Sequence, residues 1–469
     1  MSFFQLAIAA FCTASLAVAA PGDLADLARQ YLADLVRLDT TNPPGNETRV
    51  AEYLKKLCDI EGINSQMLGA DPARLNFVAR LPGSGKLKPL LLMAHSDVVP
   101  ADRAQWMVDP FGAELRDGYL WGRGAEDDKS LLAAELAVMV ELKRRGVKLD
   151  RDIILLSEAD EEAGSTGIQW MIANAWDKID AEFALNEGGL ALTTLSGRRV
   201  YEIQTTEKIP TRVVLTAHGV AGHGSLPRED NPVVHLARAI TNVADADQPV
   251  HLNSTTRRYL RAIAKLPDYH WLAQFLPKLE SPRTAMAAAN RIRRSDPELD
   301  SMLRASVSPT MLSAGTKINV IPNTAEAQLD VRRLPDETHD EILERLRRII
   351  HDPAVEVTAA LGREMPATEP SRASTALYRA MQQAFTTAAP DSMAIPYMVR
   401  GATDGSFLRE KGMDVYGVPI FMRDDGQSRA HANDERIGLE TVGAGANLLM
   451  EIVLLVGRED KGSLHPRSF

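Results

Sequence analysis

Leu90-Leu91-Leu92-Met93-Ala94 carries no polar side chain and stops at His95. A run of that kind fits a strand buried on both faces, and such strands belong to sheets with helices packed on either side. Residues 153–156 and 183–185 repeat the pattern. Between the first two runs, residues 129–145 place Leu132, Leu136, Met139 and Val140 on one helical face, closed by Gly146. Strand, helix, strand, helix, strand predicts a parallel α/β sheet. Each apolar run ends in polar groups: His95-Ser96-Asp97, then Ser157 through Glu162, then Asn186-Glu187-Gly188-Gly189. Open α/β sheets bind their ligands beyond the carboxyl ends of strands.

At 469 residues the chain has room for two domains. Its character changes near residue 200. Residues 200–206 and 211–217 alternate like antiparallel strands, a helix follows at 232–243, strands lie near 316–333, and 339–350 is a charged amphipathic helix. Residues 251–305 are mostly helical, carry no motif and read as an insertion. After Pro366 the α/β character returns, with a helix at 374–387, a strand near 394–399 and a long helix at 439–456. The expected fold is a discontinuous α/β catalytic domain, 21–199 plus 365–469, with a mostly parallel sheet flanked by helices. A smaller α+β domain at 200–364 interrupts it.

Residues 1–20 are apolar, end in Ala17-Val18-Ala19 and precede Pro21-Gly22, the shape of a secretory leader with an A-x-A cleavage site, although no Lys or Arg precedes the apolar run. The expectation is a cleaved leader and an exported, periplasmic or secreted protein; an uncleaved anchor is the alternative. No later stretch reads as long and apolar enough to span a bilayer, so no stable membrane insertion is expected after cleavage. The net charge of -10, without a basic block, argues against a nucleic-acid partner. Cys12 and Cys58 are the only cysteines, so a cysteine zinc site is excluded.

Histidine nitrogens and carboxylate oxygens bind zinc and similar ions, and a catalytic site keeps a position open. Two-metal hydrolases hold their ions roughly 3.5–4 Å apart, a spacing that one carboxylate can bridge with an oxygen on each. Asp127 follows Gly122-Arg123-Gly124 and precedes the apolar helix. Around it the chain offers His95, His431, Glu162 and Glu187, one histidine and one carboxylate for each ion. Taken singly these are ordinary surface or capping residues; their joint placement at strand ends points to a dinuclear centre. Glu161 adjoins Glu162 and cannot readily reach the same ion, which suits it to general acid/base work. Asp97 would accept the second ring N–H of His95.

The set His95-x-Asp97, Gly122-Arg123-Gly124-x-x-Asp127-x-Lys129, Asp160-Glu161-Glu162, Glu187 and His431 resembles the M20 metallopeptidase family, which includes glutamate carboxypeptidase, aminoacylase, succinyl-diaminopimelate desuccinylase and carboxypeptidase S. The resemblance spans essentially the whole mature chain. It implies Asp127 as bridging ligand, His95 and Glu187 on one ion, Glu162 and His431 on the other, and Glu161 as general base. It also implies a cis peptide between Asp127 and Asp128, and a smaller domain that serves as lid and homodimer interface. Residues 218–225 look like the family's Gly-His loop, in which His223 would touch the scissile carbonyl, often from the partner subunit. Asn319 and Arg332 look like the lid pair, and a two-pronged guanidinium suits a substrate carboxylate. Gly401 opens a glycine loop that would line the pocket; Arg400 is a second carboxylate candidate. Residues 251–305 and Trp106…Pro110-Phe111 are most similar to the carboxypeptidase S branch, which includes hydrolases of N-acyl amino acids.

The function so implied is hydrolysis of an amide bond next to a free carboxylate, in a dipeptide or an N-acyl amino acid, by metal-bound hydroxide with Glu161 as base. Two divalent ions are required, zinc first, with cobalt or manganese served by the same ligands. An aminopeptidase or a deacetylase/desuccinylase of the same fold is the alternative within chemistry, and a metal-free binding domain the alternative outside it.

Overall fold

The computed structural model describes residues 23–360, 365–423 and 428–458; the leader read in residues 1–20 lies outside the described residues, as does the stretch around 364 where the smaller domain was expected to end. Leu90–His95 pairs in parallel with Ile153–Glu158 on one side and Phe183–Asn186 on the other, and Phe183–Asn186 pairs in parallel with Asp414–Gly417. Every residue of these four strands is buried. Alternate side chains serve opposite faces, as strand geometry requires. Leu90, Leu92 and Leu155 pack with the helices Leu24–Val36, Lys129–Arg144 and Leu439–Val456, while Leu91, Met93 and Leu156 pack with Ile168, Met171 and Phe407. Asn64–Leu68 and Asn76–Leu81 extend one edge in antiparallel fashion.

The helix Leu439–Val456 corrects one expectation. Its 18 residues are long and apolar enough to cross a membrane by length and composition. Val442, Ala446, Leu449, Ile452 and Val453 are instead buried in the main core, against Leu24–Val36, Lys129–Arg144 and Ala376–Ala388. A helix enclosed by three others is apolar nearly all round for that reason.

Two further corrections concern the domain boundary. Arg199–Glu207 is a strand of the central sheet, parallel to Met393–Val399 and antiparallel to Leu190–Thr193, and not part of the smaller sheet. Only its first residue is exposed, and Tyr201 stacks on Phe385. The chain crosses over at Lys208, whose buried ammonium donates to Ser301 O, Arg304 O and Ser306 Oγ at 2.9–3.2 Å. The helical insertion also sits on the catalytic side: Tyr259, Leu260 and Ile263 pack on Ile395, Tyr397 and Met398. Its apolar helix faces cover a sheet edge strand that would otherwise lie open.

The smaller sheet is antiparallel, in the order Ser306–Ala314, Thr324–Arg333, Ile209–His218, Val355–Ala359. The helices Pro232–Asp245 and His339–Ile350 cover one face and bury Val213, Leu215, Leu329 and Val331. A capping box between Thr338 and Glu341 starts the second of them. The other face carries Asp330 directly opposite Arg212, with Arg332 two residues along.

Candidate metal centre

Asp127 owes its position to the loop before it. Gly124 has φ +83°, and a Cβ there would lie 2.7 Å from a Val98 methyl, so only glycine lets the loop turn so close to the strand end. Glu435 is fully buried and accepts the backbone N–H groups of Glu126 and Asp127 at 2.7 and 3.1 Å. Its other oxygen takes Arg123 Nη1 at 2.6 Å, and Arg123 Nη2 reaches His431 O at 3.3 Å. The Asp127–Asp128 peptide is cis.

The two oxygens of Asp127 face different histidines: Oδ1 lies 3.1 Å from His95 Nε2 and Oδ2 lies 3.1 Å from His431 Nε2. Glu162 stands 3.2 Å from the same His431 nitrogen. Ligand atoms of His95, Asp127 and Glu162 fall within 4.8 Å of one another, as do those of His95, Glu161 and Glu187. The donors are nitrogens and oxygens, and one carboxylate presents an oxygen to each half. That arrangement fits a pair of divalent cations sharing Asp127.

Asp97 departs from its expected role. His95 Nδ1 is 3.0 Å from the Asp97 carbonyl oxygen and 3.6 Å from its carboxylate, so the ring hydrogen bond goes to the main chain. The carboxylate instead accepts the N–H groups of Glu161 and Glu162, each at 3.1 Å, and holds the turn on which both stand.

Without cations the centre is crowded with like charge. Burial, then the neighbouring carboxylates, holds Glu161 and Glu187 well above the ordinary carboxylate range. Hydrogen bonds to Asp127 and Glu162 raise His431 to about 10. Burial would favour a neutral His95, but the carboxylates of Asp127 and Asp97 outweigh it and raise that pKa as well. His431 therefore holds a proton at neutral pH, whereas a ligand must be deprotonated. Metal uptake should release protons, and affinity should fall as pH falls. Titration calorimetry in buffers of different ionisation enthalpy should report a net release; no buffer dependence at pH 7 would contradict it.

Asp127, Glu161, Glu162, Glu187 and His431 open into one cavity of about 1030 Å³. Arg332 and Gly401 line it, and Leu131, Leu190, Val418, Phe421, Met422 and Ile437 give it apolar walls. Arg332 Nε lies 3.1 Å from Asp330. Three of the five expected substrate-binding residues do not line the cavity. His223 and Asn319 lie instead in a ribbon where Gly222–His223 pairs with Val320–Ile321 and Gly224 N–H donates to Asn319 O at 2.8 Å, and the His223 ring bonds Ser225 Oγ at 2.7 Å. Arg400 Nη1 pairs with Glu298 of the insertion at 2.8 Å.

Several residues escaped the sequence reading. Glu435 and Arg123 lie far apart in the chain, and a lone acidic or basic residue near a motif has no signature. In the sequence Asn42 reads only as the start of a helix-breaking Asn42-Pro43-Pro44-Gly45. Arg212 lines the cavity on the same sheet face as Arg332, yet from sequence it is one charge on an amphipathic strand.

Residues 91–455 match peptidase family M20/M25/M40. The chain is 27% identical over 374 residues to human N-fatty-acyl-amino acid synthase/hydrolase PM20D1, covering 78% of this chain and 74% of that protein. It is 28% identical over 366 residues to a probable carboxypeptidase S-like 2 of Dictyostelium discoideum, covering 76% and 69%. The fold is similar to that of an M20 family metallo-carboxypeptidase, Sso-CP2 from Sulfolobus solfataricus, with TM-score 0.70 at 21% identity over 92% of this chain and 99% of that one.

Proposed function

The chain belongs to peptidase family M20/M25/M40, and from that premise we propose that it is a dinuclear amidohydrolase splitting N-acyl amino acids into a free amino acid and a carboxylic acid. One observation carries the reading: the metal-ligand carboxylates and two lid arginines share a cavity with an apolar group formed by Leu190, Val399, Val418, Phe421, Met422 and Ile437. The arginines suit the carboxylate of the amino acid, and the apolar wall suits an aliphatic acyl chain. A relative named as an N-fatty-acyl-amino acid synthase/hydrolase agrees with this division.

Two divalent cations, zinc first among them, would polarise the scissile carbonyl and acidify water beside it. Glu161 takes the proton from the attacking water and returns it to the leaving nitrogen. Arg332 holds the substrate carboxylate, with Arg212 beside it. A panel of N-acyl amino acids and their C-terminal amides tests the assignment. Activity should rise with acyl length and be far weaker on dipeptides. Arg332→Ala should lower kcat/KM for the acids by about 10- to 150-fold, the loss of one charge-assisted pair, and change the amides little. An equal loss for acids and amides would move the role to Arg212; preference for dipeptides would make the enzyme a carboxypeptidase.

The reading extends to a homodimer through the lid. His223 lies outside the cavity of its own chain, and Met311, Leu312 and Ile318 are exposed on the lid at 61%, 69% and 101%. Large apolar side chains left in solvent on the edge strand Ser306–Ala314 and the turn after it are open to an interface. If His223 serves the partner's site, inactive His223→Ala and Glu161→Gln proteins should regain activity when their subunits exchange, because one site of the mixed dimer has both residues. A mixture that stays inactive after exchange would remove His223 from the partner's site.

A further inference from the structure

We infer that Asn42 is a positioning residue for this reaction: its side-chain amide ties the loop behind His95 to the turn that carries Glu161. The inference rests on the reading of Glu161 as general base. Asn42 is 4% exposed, and its Nδ2 lies 2.8 Å from Asp97 Oδ2 and 2.9 Å from Asp160 Oδ1. A group placed between two carboxylates must donate to both, and a primary amide has one N–H for each. The same chemistry settles which end of the amide faces them.

Both ends of this bridge are anchored. On one side the Asn42 N–H donates to Val98 O at 2.9 Å, and Asp97 accepts the N–H groups of Glu161 and Glu162. On the other, Asp160 immediately precedes Glu161 and turns the chain at φ +69°, a left-handed conformation that aspartate tolerates but does not prefer. Arg74 Nη2 holds Asp160 Oδ1 at 2.8 Å and the buried Glu47 at 2.6 Å. Three carboxylates thus share one guanidinium and one amide. Removing the amide leaves Asp97 and Asp160 facing each other as like charges, with the base on the segment between them. Asn42 does not line the cavity, so its effect on turnover has to pass through the groups that Asp97 holds, Glu161 and the ligands Glu162 and His95, and an unchanged metal content separates the first from the other two.

The test is a double-mutant cycle on the metal-loaded full chain with one N-acyl amino acid. Asn42→Ala should lower kcat by about 10- to 100-fold, the size expected when a reacting group is misplaced by about an ångström, with KM and metal content near wild type. In the Glu161→Gln background, Asn42→Ala should change the residual rate less than about threefold, since there is no base left to position. Multiplicative losses, or a loss confined to KM or to thermal stability, would reduce Asn42 to a scaffold residue and overturn the inference. If Asn42→Ala does not fold, Asp160→Gly removes the acceptor at the other end of the bridge, keeps the φ of +69° accessible and must show the same non-additivity. A Glu161→Gln variant with wild-type turnover would fail the base assignment itself, and the inference with it. An inactive Glu161→Gln with additive Asn42→Ala would fail the inference alone.

Discussion

Glu161→Gln loses turnover by about 10²–10⁴-fold, the usual worth of general-base catalysis, and keeps its metals. The amide matches the carboxylate in shape but cannot accept the proton of the attacking water. The surroundings of Glu161 explain why the loss should fall on kcat. The turn is held from behind by Asp97, which accepts the backbone N–H groups of Glu161 and Glu162 and is indifferent to the side chain at 161. The ligand atoms of His95, Asp127 and Glu162 lie within 4.8 Å of one another without Glu161, and in the group that includes it His95 and Glu187 remain. Steady-state kinetics with metal analysis on the same preparation checks the expectation. Retention of more than about a tenth of the wild-type rate would place the base elsewhere.

Asp127→Ala empties both metal positions together. Its two oxygens lie 3.1 Å from two different histidines, so its removal withdraws a donor from each half of the site at once. The remaining carboxylates then lose the cations that would offset their mutual repulsion. The fold should survive, because Glu435 holds this loop through the backbone N–H of residue 127 and not through its side chain. Elemental analysis should find less than about one ion per chain after dialysis, and thermal stability should no longer respond to added metal, since a ligand stabilises only the state that binds it. Two tightly held ions in Asp127→Ala would refute the bridging role.

Much of the candidate site was legible because it is encoded locally. His95, Glu162 and Glu187 stand at or just after the ends of apolar runs, and a run buried on both faces can end at only one rim of the sheet. Asp127 was legible through its glycines, one of which, Gly124, does adopt a positive φ. The lid residues were less so. His223 and Asn319 sit in an exposed ribbon whose relation to the cavity depends on how chains associate, and Arg400 is claimed by Glu298, more than 100 residues earlier.

What the sequence determined by itself is whatever burial stamps on neighbouring residues: the parallel core, the helices over it and the polar groups at its rim. The tertiary structure decided what depends on distant partners. Arg199–Glu207 alternates in sequence like a strand of the smaller sheet, yet all but its first residue is buried, and only pairing with Met393–Val399 reveals its sheet. His431 meets Glu162 across 269 residues, Glu435 meets Asp127 across 308, and Asn42 meets Asp160 across 118. Polar contacts of this kind leave no period in the chain, because each is a single pair whose geometry is set by the packing of the elements that carry it.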